Sequence, residues 1–420
     1  MQFDAQRAPA PKTGTAAKAA TLALRFRHDW LPQWLARVGD PVGGGVFDAL
    51  DAQGRPDPLA DKTVLTQARM LFTLAHLAML TEDNATLVQA AARQYGVLAR
   101  YRKGNGLYCR ALTHAGQPTG RVADGLARSY DQSFVLLALA TWARLSPSAV
   151  LDREIADCLA AIDRHLTDPA TGLLIEDDGV SDPAAPDAPL RSQNPHMHLY
   201  EAYLQAHEMA CGETGIDWLA RAADLRALAL RHFFDAQSGS IREWVAPDLS
   251  QAPGDAGLRR EPGHQYEWAW LLNREADFSG DGRLRGIAAK LCAFADRHGI
   301  ATDGPLAGAA LDAITPAGAV LENNLLLWPQ TEAIKAFAIR HSAGEAAMGA
   351  RAQALFILMC ERWFEGGLWR NQLAPDASVL WPETLTRLVY HLVLALTEGV
   401  RAGLWPGKNT ADYQQKGERC

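Results

Sequence analysis

A chain of 420 residues with a formal net charge of −7 and a pI near 6.0 carries no run of Lys or Arg. That balance excludes nucleic acid or an anionic membrane surface as the main partner and favours a small or neutral ligand. No apolar run reaches the roughly 18 residues that a bilayer span needs; "YHLVLALTEGV" is too short and ends in charge.

From the N-terminus, residues 1–20 are rich in Ala, Pro and Thr and read as a flexible arm without the apolar core of a signal peptide. Residues 21–405 read as one domain and 406–420 as a tail. The six cysteines, Cys109, Cys158, Cys211, Cys292, Cys360 and Cys420, are far apart and form no CxxC pair. Free thiols in a cytoplasmic protein are expected.

Apolar residues recur at helical spacing through most of the chain, which predicts helices near 22–38, 61–80, 85–101, 125–144, 148–167, 195–211, 217–234, 263–275, 281–299, 324–342, 345–365 and 384–402. Alternate helices differ in character. "SYDQSFVLLALATWARL" is apolar over most of its circumference, whereas "LDREIADCLAAIDRHL" has one apolar stripe and one charged face. The first pattern suits a helix enclosed by neighbours, and the second an outer helix.

Between an outer helix and the next inner one come a glycine, a short β-like stretch and a turn. Gly45, Gly106, Gly172, Gly239, Gly304 and Gly367 are spaced, by subtraction, 61, 66, 67, 65 and 63 residues apart. Six helical hairpins at a near-constant period predict an all-α (α/α)6 barrel, six inner and six outer helices, with short β-hairpin loops gathered at one end.

Polar residues near the inner-helix starts keep the same period. Arg69, Asp131, His198, His264, Trp328 and His391 are 62, 67, 66, 64 and 63 residues apart, so they are expected to converge on the barrel axis. Core packing alone gives no reason for ionisable groups to share a level. In "EPGHQYEWAWLL" Pro262 sets a helix start, and His264 and Glu267, three apart, share a face on which the carboxylate could hold the imidazole. His391 lies in an apolar helix where a polar ring needs a partner. His76 and His341 read as structural, and Arg69 could simply pair with Asp131 or Glu201.

The segments "RML" after Gln67, "YDQSFVLLALA", "NPHMHLYEA", "PGHQYEWAWLL", "WPQTEAIKA" and "LVYHLVLAL" resemble the N-acylglucosamine 2-epimerase superfamily, which includes cellobiose 2-epimerases and bacterial mannose isomerases. The resemblance implies an (α/α)6 barrel and chemistry at C1 and C2 of a sugar without metal or nucleotide. It implies a catalytic set of Arg69, His198, His264, Glu267 and His391. Trp328 and Glu332 are implied as pocket residues, and Asp131, Asn194, His196 and Glu201 join them as candidate substrate contacts. "PETLTRLVYHL" lacks the proline and arginine that cellobiose epimerases place after the histidine, which favours the mannose-isomerase branch.

The expected reaction is aldose–ketose isomerisation through a cis-enediolate. His391 would move the proton between C2 and C1, and His264, held by Glu267, would serve the oxygens. Arg69 would stabilise the enediolate, and His198 would assist ring opening. Only Arg69 stands out as a central cation, which favours a free sugar over a phosphate ester. Alternatives are 2-epimerisation, with His264 and His391 on opposite faces of C2; glycoside hydrolysis by a pair drawn from Glu201, Glu267 and Glu332; a carbohydrate-binding barrel; and a zinc site built from His198, His264 and His391. A monomer or homodimer is expected.

Overall fold

The structure, a computed structural model, describes residues 13–407 except residue 83 and residues 211–214. The helices in chain order are α1 (Thr13–Arg25), α2 (Leu31–Val38), α3 (Val64–Leu80), α4 (Ala85–Leu98), α5 (Val122–Gly125), α6 (Ser129–Leu145), α7 (Ala149–His165) and α8 (Gln193–Met209). They continue as α9 (Trp218–Phe233), α10 (Gly254–Leu258), α11 (Pro262–Ser279), α12 (Arg283–His298), α13 (Leu327–Ser342), α14 (Ala346–Arg362) and α15 (Val389–Arg401).

Each of α3, α6, α8, α11 and α13 packs on the next inner helix, α13 packs on α15, and α15 returns to α3. Outside this ring lie α4, α7, α9, α12 and α14, and α1 closes the outer layer against α14. The chain thus folds as the (α/α)6 barrel expected from its repeat. The two layers differ as their sequences require. In α3, 14 of 17 residues are buried, against 4 of 14 in α4, so only the outer helices can carry a charged face to water.

Backbone pairing closes the mouth of the barrel. The extended residues before each inner helix pair antiparallel with the hairpin of the following repeat: Thr63 with Ala111, Arg128 with Asp177, Ser192 with Trp244, Arg260 with Ile314, and Leu326 with Gln372. Leu385 then pairs with Ala49 of the first repeat, which joins the end of the chain to its beginning. Helices α3, α6, α13 and α15 consequently start three to five residues later than periodicity predicts, because the residues before them are spent in this ladder, whereas α8 and α11 start within two residues of the prediction.

A side chain at one level of successive inner helices ties each hairpin to its own repeat. The amides of Gln67, Gln132, Gln265 and Gln330 each accept from, and donate to, the backbone of Val46, Tyr108, Ile241 and Ala310 respectively. All six repeat glycines have φ between 72° and 91°. At Gly45 a Cβ would lie 2.4 Å from the Gln67 amide oxygen, so glycine is required there by both torsion and space.

The arm expected over residues 1–20 is corrected in part, since helix α1 already begins at Thr13. Ala19 and Ala23 are buried among the core residues, which holds that helix to the barrel. Residues 1–12, most of the expected tail, Cys211 and Cys420 lie outside the described residues. Cys109, Cys158, Cys292 and Cys360 are free thiols. Among the described residues no helix is long and apolar enough to cross a membrane.

Candidate active site

A cavity of about 550 Å³ opens at the mouth, and Arg69, Asp131, Asn194, His198, His264, Glu267, Trp328 and His391 all line it. The residues in repeat phase therefore do converge. A larger groove, about 850 Å³, runs over the outer wall between α2 and α4 and holds none of them. The chemistry sits in the smaller space, where ionisable groups from five of the inner helices meet Trp328 of the sixth.

His391 is 5% exposed, and its Nδ1 lies 2.8 Å from Glu332 Oε1, which leaves Nε2 for the cavity. Burial pushes its pKa well below the usual histidine value, and the positive charges of Arg69 and Lys335 push it further the same way. Behind it, Lys335 is fully buried with Nζ 2.5 Å from Glu332 Oε2, 3.8 Å from Glu267 Oε1 and 3.8 Å from the Trp270 ring centroid. Burial raises the Glu332 carboxyl above its usual range, and the Lys335 ammonium opposes this only in part. At ordinary pH His391 is a neutral base.

His264 stands in the opposite condition. Its Nδ1 is 2.7 Å from Glu243 Oε2 and 3.2 Å from Glu261 Oε2. Burial disfavours its charge, yet the two carboxylates outweigh burial and raise its pKa to about 9. It is a buried imidazolium, able to donate. Trp328 lies against both rings, its centroid 4.8 Å from His264 and 6.2 Å from His391. This close seat needs Gly263, where a Cβ would come within 2.5 Å of the indole.

The expected pairing of His264 with Glu267 is thus corrected. Glu267 points elsewhere, and neither of its oxygens has a hydrogen-bond partner among the described residues. Burial, reinforced by the Glu332 charge, raises it well above the carboxylate range, so it is held protonated. Glu243 was not among the sequence candidates. A signal existed: it follows Glu176 by 67 residues, the interval between Gly172 and Gly239, but a hairpin glutamate gives no local sign that it turns inward. Lys335 was missed because a lysine within an apolar inner helix has no motif to mark it.

Two further candidates sit behind the cavity wall. Glu201 accepts from Tyr390 and lies 3.1 Å from His198 Nδ1. Burial opposes its charge, but these partners hold it at about 2, while burial lowers His198 to about 4. Glu332 likewise supports His391 without lining the cavity. Neither is placed to touch a ligand directly, contrary to expectation.

His196 is corrected more fully. Its Nε2 accepts the Leu174 N–H at 2.8 Å and its Nδ1 donates to the Ser192 carbonyl at 2.8 Å. It occupies, in this repeat, the place that glutamine holds in four others, and it belongs to the scaffold. His76 is scaffold as well, with its Nε2 3.0 Å from Thr397 Oγ1.

Arg69 pairs with neither Asp131 nor Glu201. It donates to the Tyr130 hydroxyl at 2.8 Å and the Arg387 carbonyl at 3.1 Å, and its guanidinium lies 4.0 Å from the Phe134 ring centroid. Among the described residues its cation therefore meets no carboxylate. Asp131 is buried, and burial raises it to about 6. Asn194 has a buried Oδ1 without a partner among the described residues, an acceptor ready for a ligand hydroxyl. Trp244 and Trp381 add apolar ring faces at the rim, surfaces suited to a pyranose.

Three groups could hold a metal ion, their ligand atoms within 4.8 Å of one another: His198, Glu201 and Glu267; Glu243, Glu261 and His264; and Glu267, Glu332 and His391. In the first and third, Lys335 already supplies a cation beside Glu267 and Glu332. A divalent ion there would be repelled by it. In the second, the carboxylates are matched by the His264 imidazolium. The three-histidine zinc set considered from sequence is not among these groups.

The sequence profile described as N-acylglucosamine 2-epimerase (GlcNAc 2-epimerase) matches residues 45–395. The chain belongs to this family. It is 30% identical over 394 residues to a mannose-6-phosphate isomerase of Rhizobium meliloti, covering 91% of this chain and 96% of that one. It is 34% identical over 278 residues to a D-mannose isomerase of Thermobifida fusca, covering 62% and 63%. A crystal structure of D-mannose isomerase superposes with a TM-score of 0.75 at 20% identity, covering 95% of this chain and all of the other, which shows a shared fold. The chain is an enzyme of the sugar isomerase and epimerase family, and its substrate is a small sugar.

Proposed function

We propose that this protein interconverts a mannose-type aldose and a fructose-type ketose by proton transfer through a cis-enediolate, without metal. The observation that carries this reading is the pairing of a neutral histidine, His391, with a charged one, His264, both beside Trp328 in one cavity. Both relatives above are named for aldose–ketose isomerisation, one on a phosphorylated and one on a free sugar.

In the forward direction His391 Nε2 removes the C2 proton of the open-chain aldose, and the C–H electron pair forms the C1=C2 double bond. The carbonyl electrons move onto O1, which takes a proton from His264. Deprotonation of the C2 hydroxyl then forms the ketone as His391 returns its proton to C1, and the O2 proton restores His264. Arg69 stabilises the oxyanion as it develops. Protonated Glu267 donates to a substrate oxygen, and His198, held by Glu201, assists ring opening.

Two histidines in one cavity would also serve 2-epimerisation if they addressed opposite faces of C2. The deciding experiment incubates the protein with D-mannose in heavy water and follows products by NMR. Fructose carrying deuterium at C1 supports isomerisation. Glucose carrying deuterium at C2, with no fructose, replaces it by 2-epimerisation. Persistence of activity after a chelator and loss-free dialysis supports the metal-free step, and loss restored by a divalent metal refutes it.

A further inference from the structure

The cavity wall is electrically divided. Helices α15, α3 and α6 are consecutive around the ring, and their entrances bring Arg387, Arg69 and Arg128 to one side. On the other side, α11 and its entrance bring Glu261, Glu267 and the His264 that Glu243 charges.

The three arginines are not equivalent. Arg69 is buried, with Nη1 and Nη2 donating to a backbone carbonyl and to Tyr130, and its Nε has no partner among the described residues. Arg128 is neutralised by Glu176, with its Nη2 2.6 Å from the carboxylate. Arg387 is exposed and lines the cavity, and among the described residues its guanidinium has neither an ion pair nor a hydrogen bond. The acids that face it, Asp48 and Asp131, are both shifted toward their neutral forms by burial, and Thr63 occupies Asp48. The neighbouring Arg69 adds to the uncompensated positive charge.

Its position suits the far end of a substrate. Arg387 precedes His391 by four residues, about one helical turn, or ~6 Å toward the mouth. An open hexose with C2 at His391 reaches that distance with its C6 substituent. A planar guanidinium with free donors matches a phosphate or carboxylate in bidentate fashion.

We infer that Arg387 forms an anion subsite in this pocket, and that it binds a phosphate monoester on the end of the sugar remote from the reacting carbons. The inference rests on the isomerase reading for the placement of C2. It replaces the expectation, drawn from a single central cation, that the substrate is a free sugar.

The test compares D-mannose, mannose 6-phosphate and mannuronate as substrates of the full chain and of R387Q and R387K, with folding checked by circular dichroism. Inorganic phosphate binding is measured separately by calorimetry. The wild type is expected to prefer the phosphate ester in kcat/KM, and R387Q to lose about ten- to a hundredfold of that preference through KM, with partial recovery in R387K. Inorganic phosphate should bind the wild type, compete with the sugar and fail to bind R387Q. Preference for mannuronate would assign the subsite to a carboxylate and overturn the phosphate assignment. Equal ratios in wild type and R387Q, with phosphate binding unaffected, would overturn the subsite altogether. If no sugar is turned over, the isomerase reading fails, and phosphate calorimetry on wild type and R387Q still decides the subsite.

Discussion

His264 and His391 occupy corresponding levels of two inner helices, each with Nδ1 against a buried carboxylate, yet one is driven up and the other down. Among the described residues, the ion-pair partners of His264 are two carboxylates, Glu243 and Glu261. Around His391 the single carboxylate, Glu332, has its charge cancelled by Lys335, and Arg69 adds another positive charge. A carboxylate partner therefore does not make a histidine an acid. The net charge of the surrounding shell does, once burial has removed water's screening.

Removing one member of the pair is the strongest way to break this comparison. H391A should lower kcat by about 10²- to 10⁴-fold while circular dichroism and the melting temperature remain near those of the wild type. Activity within a few-fold of wild type would remove His391 from the proton path.

The pH profile tests the difference itself. Rate should fall as pH rises through about 9, where His264 loses its proton, and should fall on the acid side only below the ordinary histidine range, where His391 gains one. E243Q removes the carboxylate charge nearest to His264, so the alkaline limb should move to lower pH. An unmoved limb would mean that another group sets it.

K335M acts on the other histidine. With the ammonium gone, a Glu332 that stays ionised attracts a proton on His391 more strongly, and the acid limb should move to higher pH. If kcat changes without any shift of that limb, Lys335 is serving only to pack the helix.

The smallest effects separate scaffold from site. H196Q should keep both fold and activity, because glutamine accepts the corresponding hairpin N–H in four other repeats and donates to the carbonyl four residues back in three of them. H196A should cost about 1–3 kcal/mol of stability by leaving the buried Leu174 N–H without a partner, measured by denaturant unfolding, with KM little changed. A large KM change in H196Q would return His196 to the binding site.

Much of this was legible from period alone. Gly45, Gly106, Gly172, Gly239, Gly304 and Gly367 announced six hairpins because each must adopt a left-handed torsion that other residues resist. The alternation of enclosed and striped helices named the layers, and the shared phase of Arg69, Asp131, His198, His264, Trp328 and His391 brought them correctly to one cavity. His196, a candidate substrate contact that this phase did not select, faces the hairpin instead, because nearby positions on an inner helix can serve the axis or the hairpin, and only side-chain direction tells them apart.

What the sequence by itself determined was the set of repeating constraints: apolar periodicity, glycine torsions and the level of each polar residue along its helix. These are local properties, expressed within one hairpin. Which carboxylate meets which histidine was decided by tertiary structure, since Glu243 reaches His264 from a preceding loop and Lys335 reaches Glu267 on the neighbouring helix. Charge acts through space and in a medium that burial makes poorly screening. The protonation states, and with them the roles of acid and base, exist only once the ring has closed.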